Sequence, residues 1–196
     1  LALLLLAALS LAIYLRTLAR DVLPGDPGEF QFAAWRLGLA HPTGYPLYLI
    51  LGGLWQRTLA LLGVNPAAAL NALSAVFAVL AVLAMYVLMR QAPVTLPAMN
   101  RAVAALAALL LAVNFTFWSQ ALVAEVYTLH ALLLLALLLS LCAGIPSAGE
   151  EGRAIAPQRL IAVALILGLS LAHHAMTLLA LPAVLLYLWH ARIEWR

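Results

Sequence analysis

Two carboxylates three residues apart, Asp26 and Glu29, precede an imidazole at His41 within one polar stretch, GDPGEFQFAAWRLGLAHPTGYPLY, residues 25–48. A carboxylate within hydrogen-bond reach of a hydroxyl can take its proton, and an imidazole can hold or pass one near neutral pH. The same D-P-x-E pattern suits helix capping, with Asp26 as N-cap, Pro27 at the first helical position and Glu29 at the third. The two uses are compatible, because a cap holds a carboxylate rigidly at a helix start. His41, inside HPTGYP, reads equally well as a turn residue. Farther along, Glu125 begins a long apolar helix. An acid there is costly unless it is paired or faces water, although a helix N-terminus also favours negative charge. His130 lies five residues on, off the Glu125 face, and reads as structural. His173-His174 suit either an interfacial pair or a site. Histidine and carboxylate are metal ligands, but no spacing here is diagnostic of a metal and no ligand set is named. The phosphate-cradling glycine loop, G-x-S-x-G and H-E-x-x-H are absent from the sequence.

The elements that must position these groups are apolar. Of 196 residues, 67% are hydrophobic and 9% are charged, against about 25% charged in a soluble domain. Several bilayer-spanning helices are the expected architecture. The formal charge is +3 and every basic residue is Arg. Scattered arginines make no nucleic-acid stripe, so nucleic acid is excluded as a partner. Cys142 is alone, so there is no disulfide framework. The chain opens on Leu1 and ends on Arg196 after an apolar run, and a piece of a longer protein is expected. Residues 1–18 lack the basic flank of a signal peptide, which favours a retained first helix.

In order, residues 1–19 are long enough to span at about 1.5 Å per residue. A short amphipathic helix is expected from Asp26 to about Leu39, with Phe30, Ala33, Ala34 and Leu37 on one face. The prolines and glycine of HPTGYP break it. Residues 47–62 are apolar but short and carry Gln56 and Arg57. Helices follow at about 67–89, 101–113, 121–143, 159–172 and 176–190. Between them lie a loop at 90–101, an aromatic turn at 114–120 and a polar loop at 145–158. The Asn114-Phe115-Thr116 sequon falls too near the expected membrane to weigh as a glycosylation site. The expected fold class is an all-α polytopic transmembrane bundle of about six spanning helices. It forms a single module over 1–196, with interfacial helices in an outer loop at about 20–64.

Residues 47–62 decide sidedness. If they span, Asp26, Glu29 and His41 face one compartment, and Glu125, His173 and His174 face the other. If they lie along the interface, the loops at 90–101 and 145–159 and the tail after 190 share one side. Those segments hold Arg90, Arg101, Arg153, Arg159, Arg192 and Arg196, so that side is cytoplasmic. The acids and histidines then all face the opposite compartment. The interfacial reading satisfies both regularities and is preferred. Arg16 and Arg20 fall on the outer side in both readings and count against the rule itself, offset by the nearby Asp21, Asp26 and Glu29.

The polar stretch resembles the GDSGEFQ…LG…HPPGYPLY signature of a family of multi-spanning membrane proteins similar to protein O-mannosyltransferases, grouped with the GT-C glycosyltransferases. FWSQALVAEVYTLHAL resembles the FWSQ…EVY…LHAL block of that family, and GLSLAHHAMTLLALP its third block. The three occur in order and cover most of the chain. Pro27 replaces a Ser and Thr43 the second Pro of HPPGYP, which bears on backbone geometry and removes neither acid nor histidine. The resemblance implies a GT-C bundle whose outer-loop acid, here Asp26, is the catalytic base, with Glu29 orienting it or the acceptor. It implies a polyprenyl-phosphate sugar, mannose or another hexose, as donor and a protein Ser/Thr or glycan hydroxyl as acceptor, with an apolar groove for the isoprenoid tail and inversion at the sugar. Arg36, His41, Tyr45, Glu125, Tyr127, His173 and His174 are the expected substrate-binding residues, the phosphate falling to His41, His173, His174 or Arg36. The expected location is integral to the membrane, with the site on the non-cytoplasmic face. Two other readings stay open: a transporter or lipid-handling protein, since intramembrane acids mark ion paths, and an assembly subunit docking through Trp35 and Tyr45.

Overall fold

Proline marks where most helices begin, since its fixed φ and missing N–H suit the first turn and nowhere deeper. In the computed structural model, residues 1–91, 96–142 and 157–190 are described, and they contain helices, turns and loops without a strand. The helices are α1 (Ala2–Thr17), α2 (Asp26–Arg36), α3 (Pro46–Ala60), α4 (Pro66–Met89), α5 (Pro97–Val113), α6 (Phe115–Ala121), α7 (Tyr127–Cys142), α8 (Pro157–His173) and α9 (Leu181–His190), with a 3-10 turn at Ala175–Ala180. Proline stands in the first turn of α2, α3, α4 and α5 and is the first residue of α8. Asn65 and Asn114 accept from the amides of Ala67 (2.8 Å) and Phe117 (3.1 Å), capping α4 and α6.

Helix α4 is the axle. It packs against α1, α2, α3, α5, α6 and α7. Ala69, Ala75, Ala78 and Ala81 are fully buried along it, and their small side chains let neighbours come close. Glycine does the same on α3. A Cβ on Gly52 would meet Leu70 Cδ1 at 2.6 Å and the Ala34 Cβ at 3.3 Å, and one on Gly53 would fall against the Ala34 carbonyl oxygen. Helices α2 and α3 therefore meet at near backbone contact, and the Leu70 side chain of α4 packs directly on the α3 backbone at Gly52.

Buried polar groups fix this arrangement. The Gln31 amide donates to Asn71 Oδ1 (2.9 Å), and Asn71 Nδ2 donates to the Ala19 carbonyl (2.8 Å). Gln56 Nε2 donates to the carbonyls of Gln31 and Pro66, both at 3.0 Å. Arg57 donates to the carbonyls of Gly53 and Trp35 and lies over the Trp35 ring. In a low-dielectric interior each such group costs free energy unless paired, so the network specifies one docking of α2.

Several boundaries differ from expectation. Gly25, at φ 74°, occupies the N-cap of α2 and no side-chain cap bond forms there, so Asp26 is not the cap. Helix α2 stops at Arg36 because Leu37 turns left-handed (φ 50°), and Leu37 is exposed instead of sharing the buried face. Helix α5 begins at Pro97, four residues early, and the aromatic turn is the helix α6, bent 63° from α5. Helix α7 starts at Tyr127, so Glu125 precedes it. Residues 122–126 leave the helix because other segments take their backbone groups. The Ala19 amide donates to the Leu122 carbonyl (3.1 Å), and the Ser74 hydroxyl bridges both backbone groups of Glu125 at 3.3 Å. The last expected helix is split into the 3-10 turn and α9. Arg153, Arg192, Arg196 and most of the polar loop lie outside the described residues.

The all-α expectation holds. Helix α4 is long and apolar enough to cross a membrane, and α5 with α6 gives a second such element if the bent pair is one span. Helices α1, α7, α8 and the segment Ala175–Trp189 are apolar but shorter.

Candidate active site

The left-handed turns at Gly25 and Leu37 bracket α2, and Gly44 and Tyr45, at φ 85° and 43°, bring the chain back over its N-terminal end. That return sets His41 on Glu29. The His41 amide donates to Glu29 Oε1 at 2.6 Å, and its ring Nδ1 lies 2.8 Å from Oε2. The bond to His41 holds the Glu29 carboxyl below its ordinary range, and the bond to Glu29 raises His41. Asp26 stands beside them. Among the described residues these three form one group whose ligand atoms all lie within 4.8 Å of one another, an N/O set of the kind divalent cations use. Exposed acids paired with a histidine also adopt such spacing without an ion.

Aromatic rings carry the arrangement across the fold. Phe30, buried under the acids, packs on His41 and Tyr45 (both 5.4 Å between centroids) and on Tyr48 (5.7 Å). Tyr45 faces His41 at 5.4 Å and His174 at 5.9 Å. Tyr127 lies 5.8 Å from His174. Tyr45 is left-handed and precedes a proline, a pairing that sterics disfavour. The packing around its ring offsets the cost of about 1–3 kcal/mol.

Glu125 enters from the opposite side of the sequence. Tyr48 donates to Ser74 Oγ (3.0 Å), and Ser74 holds the Glu125 backbone. The carboxyl is pushed up to about 7, first by burial and then by the charge of Asp26; the Val126 amide and His41 oppose this. Glu125 thus lies near enough to feel the charges of Asp26 and His41, although it follows Asp26 by ninety-nine positions in the chain. One carboxyl, Glu29, is held down and another, Glu125, is pushed up, and such divergence among neighbouring acids is what acid–base chemistry uses.

Asp26, Glu29, His41, Tyr45, Glu125, Tyr127, His173 and His174 therefore line one continuous set of contacts. Arg36 stands apart: it is exposed at the far end of α2 and forms no ion pair among the described residues. Three contributors were not legible as site residues. Tyr48 and Ser74 sit in apolar helices and reach Glu125 only through the fold. His130, read as structural, stacks on His174 at 4.7 Å and lies 6.4 Å from His173. One signal was present: Tyr127 and His130 are three apart and so share a helix face.

The family described as "Protein O-mannosyl-transferase TMEM260 N-terminal domain" matches this chain over residues 26–195. A curated relative, the "Protein O-mannosyl-transferase TMEM260" of Mus musculus, is 49% identical over 43 residues. That match covers 22% of this chain and 6% of the mouse protein. No solved structure matches the chain.

Proposed function

Because the chain belongs to the family of protein O-mannosyl-transferase TMEM260 N-terminal domains, we propose that it is the catalytic portion of a membrane glycosyltransferase of GT-C type. It moves a hexose, mannose by the relative's name, from a polyprenyl-phosphate carrier to a Ser or Thr hydroxyl of a protein. The observation that carries the reading is the grouping of Asp26, Glu29 and His41, whose ligand atoms lie within 4.8 Å of one another, with Glu125 close enough to feel the charges of Asp26 and His41.

In this mechanism Asp26 takes the proton of the acceptor hydroxyl as its oxygen attacks the anomeric carbon. The bond from that carbon to the phosphate oxygen breaks on the opposite face, and the phosphate leaves with the electron pair. The sugar is inverted. Glu29, bonded to His41, holds the loop that aims Asp26. His41, whose charged form Glu29 favours, donates a hydrogen bond to the leaving phosphate. Arg36 reaches that phosphate only if its side chain swings in from the rim. Glu125, protonated in part near neutral pH, donates a hydrogen bond into the pocket.

The reading places α4 and the shorter apolar helices across the bilayer in a multi-pass bundle of about six spans. The pocket lies at the non-cytoplasmic face, with the isoprenoid tail along the apolar surface beside it. Turnover of a mannose-bearing polyprenyl phosphate by the full-length protein is the test. Asp26→Asn is expected to lose roughly 10²–10⁴-fold in rate. Full activity in that variant removes Asp26 as base. Flux of substrate across liposomes without sugar transfer replaces the enzyme reading with a transporter.

A further inference from the structure

Glu125 has no helix to hold it. It stands in the unwound segment before α7, yet its carboxyl keeps near Asp26 and His41, whose charges it feels. Side chains from distant helices hold its backbone instead. The Ser74 hydroxyl gives its single proton to the Glu125 carbonyl and accepts from the Glu125 amide, both at 3.3 Å. A hydroxyl can accept twice, and the Tyr48 hydroxyl fills the second place at 3.0 Å. The next peptide group is taken by His173, whose ring Nε2 lies 3.0 Å from the Val126 carbonyl. That carbonyl only accepts, so Nε2 carries the ring proton. Tyr48, Ser74 and His173 are all fully buried.

The peptide groups entering and leaving Glu125, and the one after them, are thus gripped by side chains of α4 and α8. A residue has only two soft backbone dihedrals, so gripping the planes on both sides of its Cα sets where the Cβ points. What is left to the Glu125 carboxyl is a few staggered side-chain wells. His173 has no group to spare for a substrate: its Nε2 is committed to Val126, and its Nδ1 is enclosed in the interior without a partner.

We propose that Ser74 and His173 are positioning residues for Glu125, and that His173 serves the reaction through its grip on the clasp and not by touching the sugar donor or the acceptor. The inference rests on the reading of Glu125 as a hydrogen-bond donor in the site and deepens it: two side chains buried in apolar helices hold that donor in place.

The test uses the full-length protein and two readouts: the titration of the Glu125 carboxyl, followed by the infrared band that Glu125→Gln removes, and transfer from a mannose-bearing polyprenyl phosphate. His173→Leu and Ser74→Ala each release one side of the grip. Both are expected to bring the Glu125 midpoint down from about 7 toward 4.5, as the freed carboxyl reaches water. Both should also cut kcat by up to roughly 10²-fold, with KM within about twofold. His173→Gln puts an amide nitrogen where Nε2 stands, keeps the bond to Val126 and is expected to retain the wild-type midpoint and most of the rate. A thermal midpoint shows which variants are folded, and Ser74→Ala, the smaller change, decides if His173→Leu is not. Loss in His173→Gln as deep as in His173→Leu gives the imidazole itself a part in the chemistry and overturns the proposal. A Glu125 midpoint unmoved in both Ser74→Ala and His173→Leu leaves those residues with packing alone and also overturns it. The carboxyl titration needs no turnover, so a wild type that transfers nothing removes the donor reading while the midpoints still decide this one.

Discussion

The Glu29–His41 pair sets a pH window. His41 is raised, so its contribution is whole below 6.5 and is lost as pH climbs through its folded value. Glu29 is lowered, so its contribution is whole above 4.5 and is lost as pH falls. The pair is therefore intact between 4.5 and 6.5, and Glu29→Gln should move His41 back down toward 6.5 in a histidine-ring NMR titration. Glu125 runs the other way. Its folded value of about 7 lies above 4.5, so between those limits the folded chain keeps a proton that the unfolded chain has released. Stability then falls as pH rises through that window, and Glu125→Gln should flatten the slope in denaturation curves taken across it. Asp26→Asn should lower the Glu125 midpoint as well, since a neighbouring like charge is removed. A Glu125 midpoint unmoved by that change would separate the two carboxyls.

Helices α2 and α3 hold the acids only because glycine lets them touch. Gly53→Val puts a branched side chain against the Ala34 carbonyl, Leu37 and Arg57. Overpacking of this kind costs about 1–3 kcal/mol. It should lower the unfolding midpoint and reduce sugar transfer together, because α2 carries Asp26 and Glu29 away from Glu125. Asn71→Leu acts on the other side of α2. It leaves Gln31 Nε2 only its longer bond to the Asp21 carbonyl (3.4 Å) and takes the Asn71 donor from the Ala19 carbonyl, for about 1–3 kcal/mol. The same measurement should show that loss, with less effect on transfer per folded molecule.

The topology follows from how α3 lies. It carries the buried Gln56 and the backbone-bound Arg57, is only 15 residues long, and packs on α2 and α4. An interfacial α3 puts the segment before α4 in the same compartment as the site. Reporter fusions at 63–66 should then read as non-cytoplasmic and a fusion at Thr95, beyond α4, as cytoplasmic. A cytoplasmic signal at 63–66 would place the acids and Glu125 on opposite faces by chain order, against the single pocket. The clasp at residues 122–126 decides convergence, because Ala19 just after α1, Ser74 of α4 and His173 of α8 all bind its backbone.

Helix content was legible because apolar runs and first-turn prolines act locally. Asp26, Glu29 and His41 stood out for a related reason: an acid or histidine in a Leu/Ala background is conspicuous whatever it touches. Helix ends were less legible. The left-handed residues at Leu37 and Tyr45 and the unwound 122–126 segment depend on distant partners. The pairing of Glu29 with His41, the burial that raises Glu125, and the arrival of His130 beside His173 and His174 come from packing alone. A side chain's charge state and tautomer answer to the groups that reach it through space, and linear order does not record those groups.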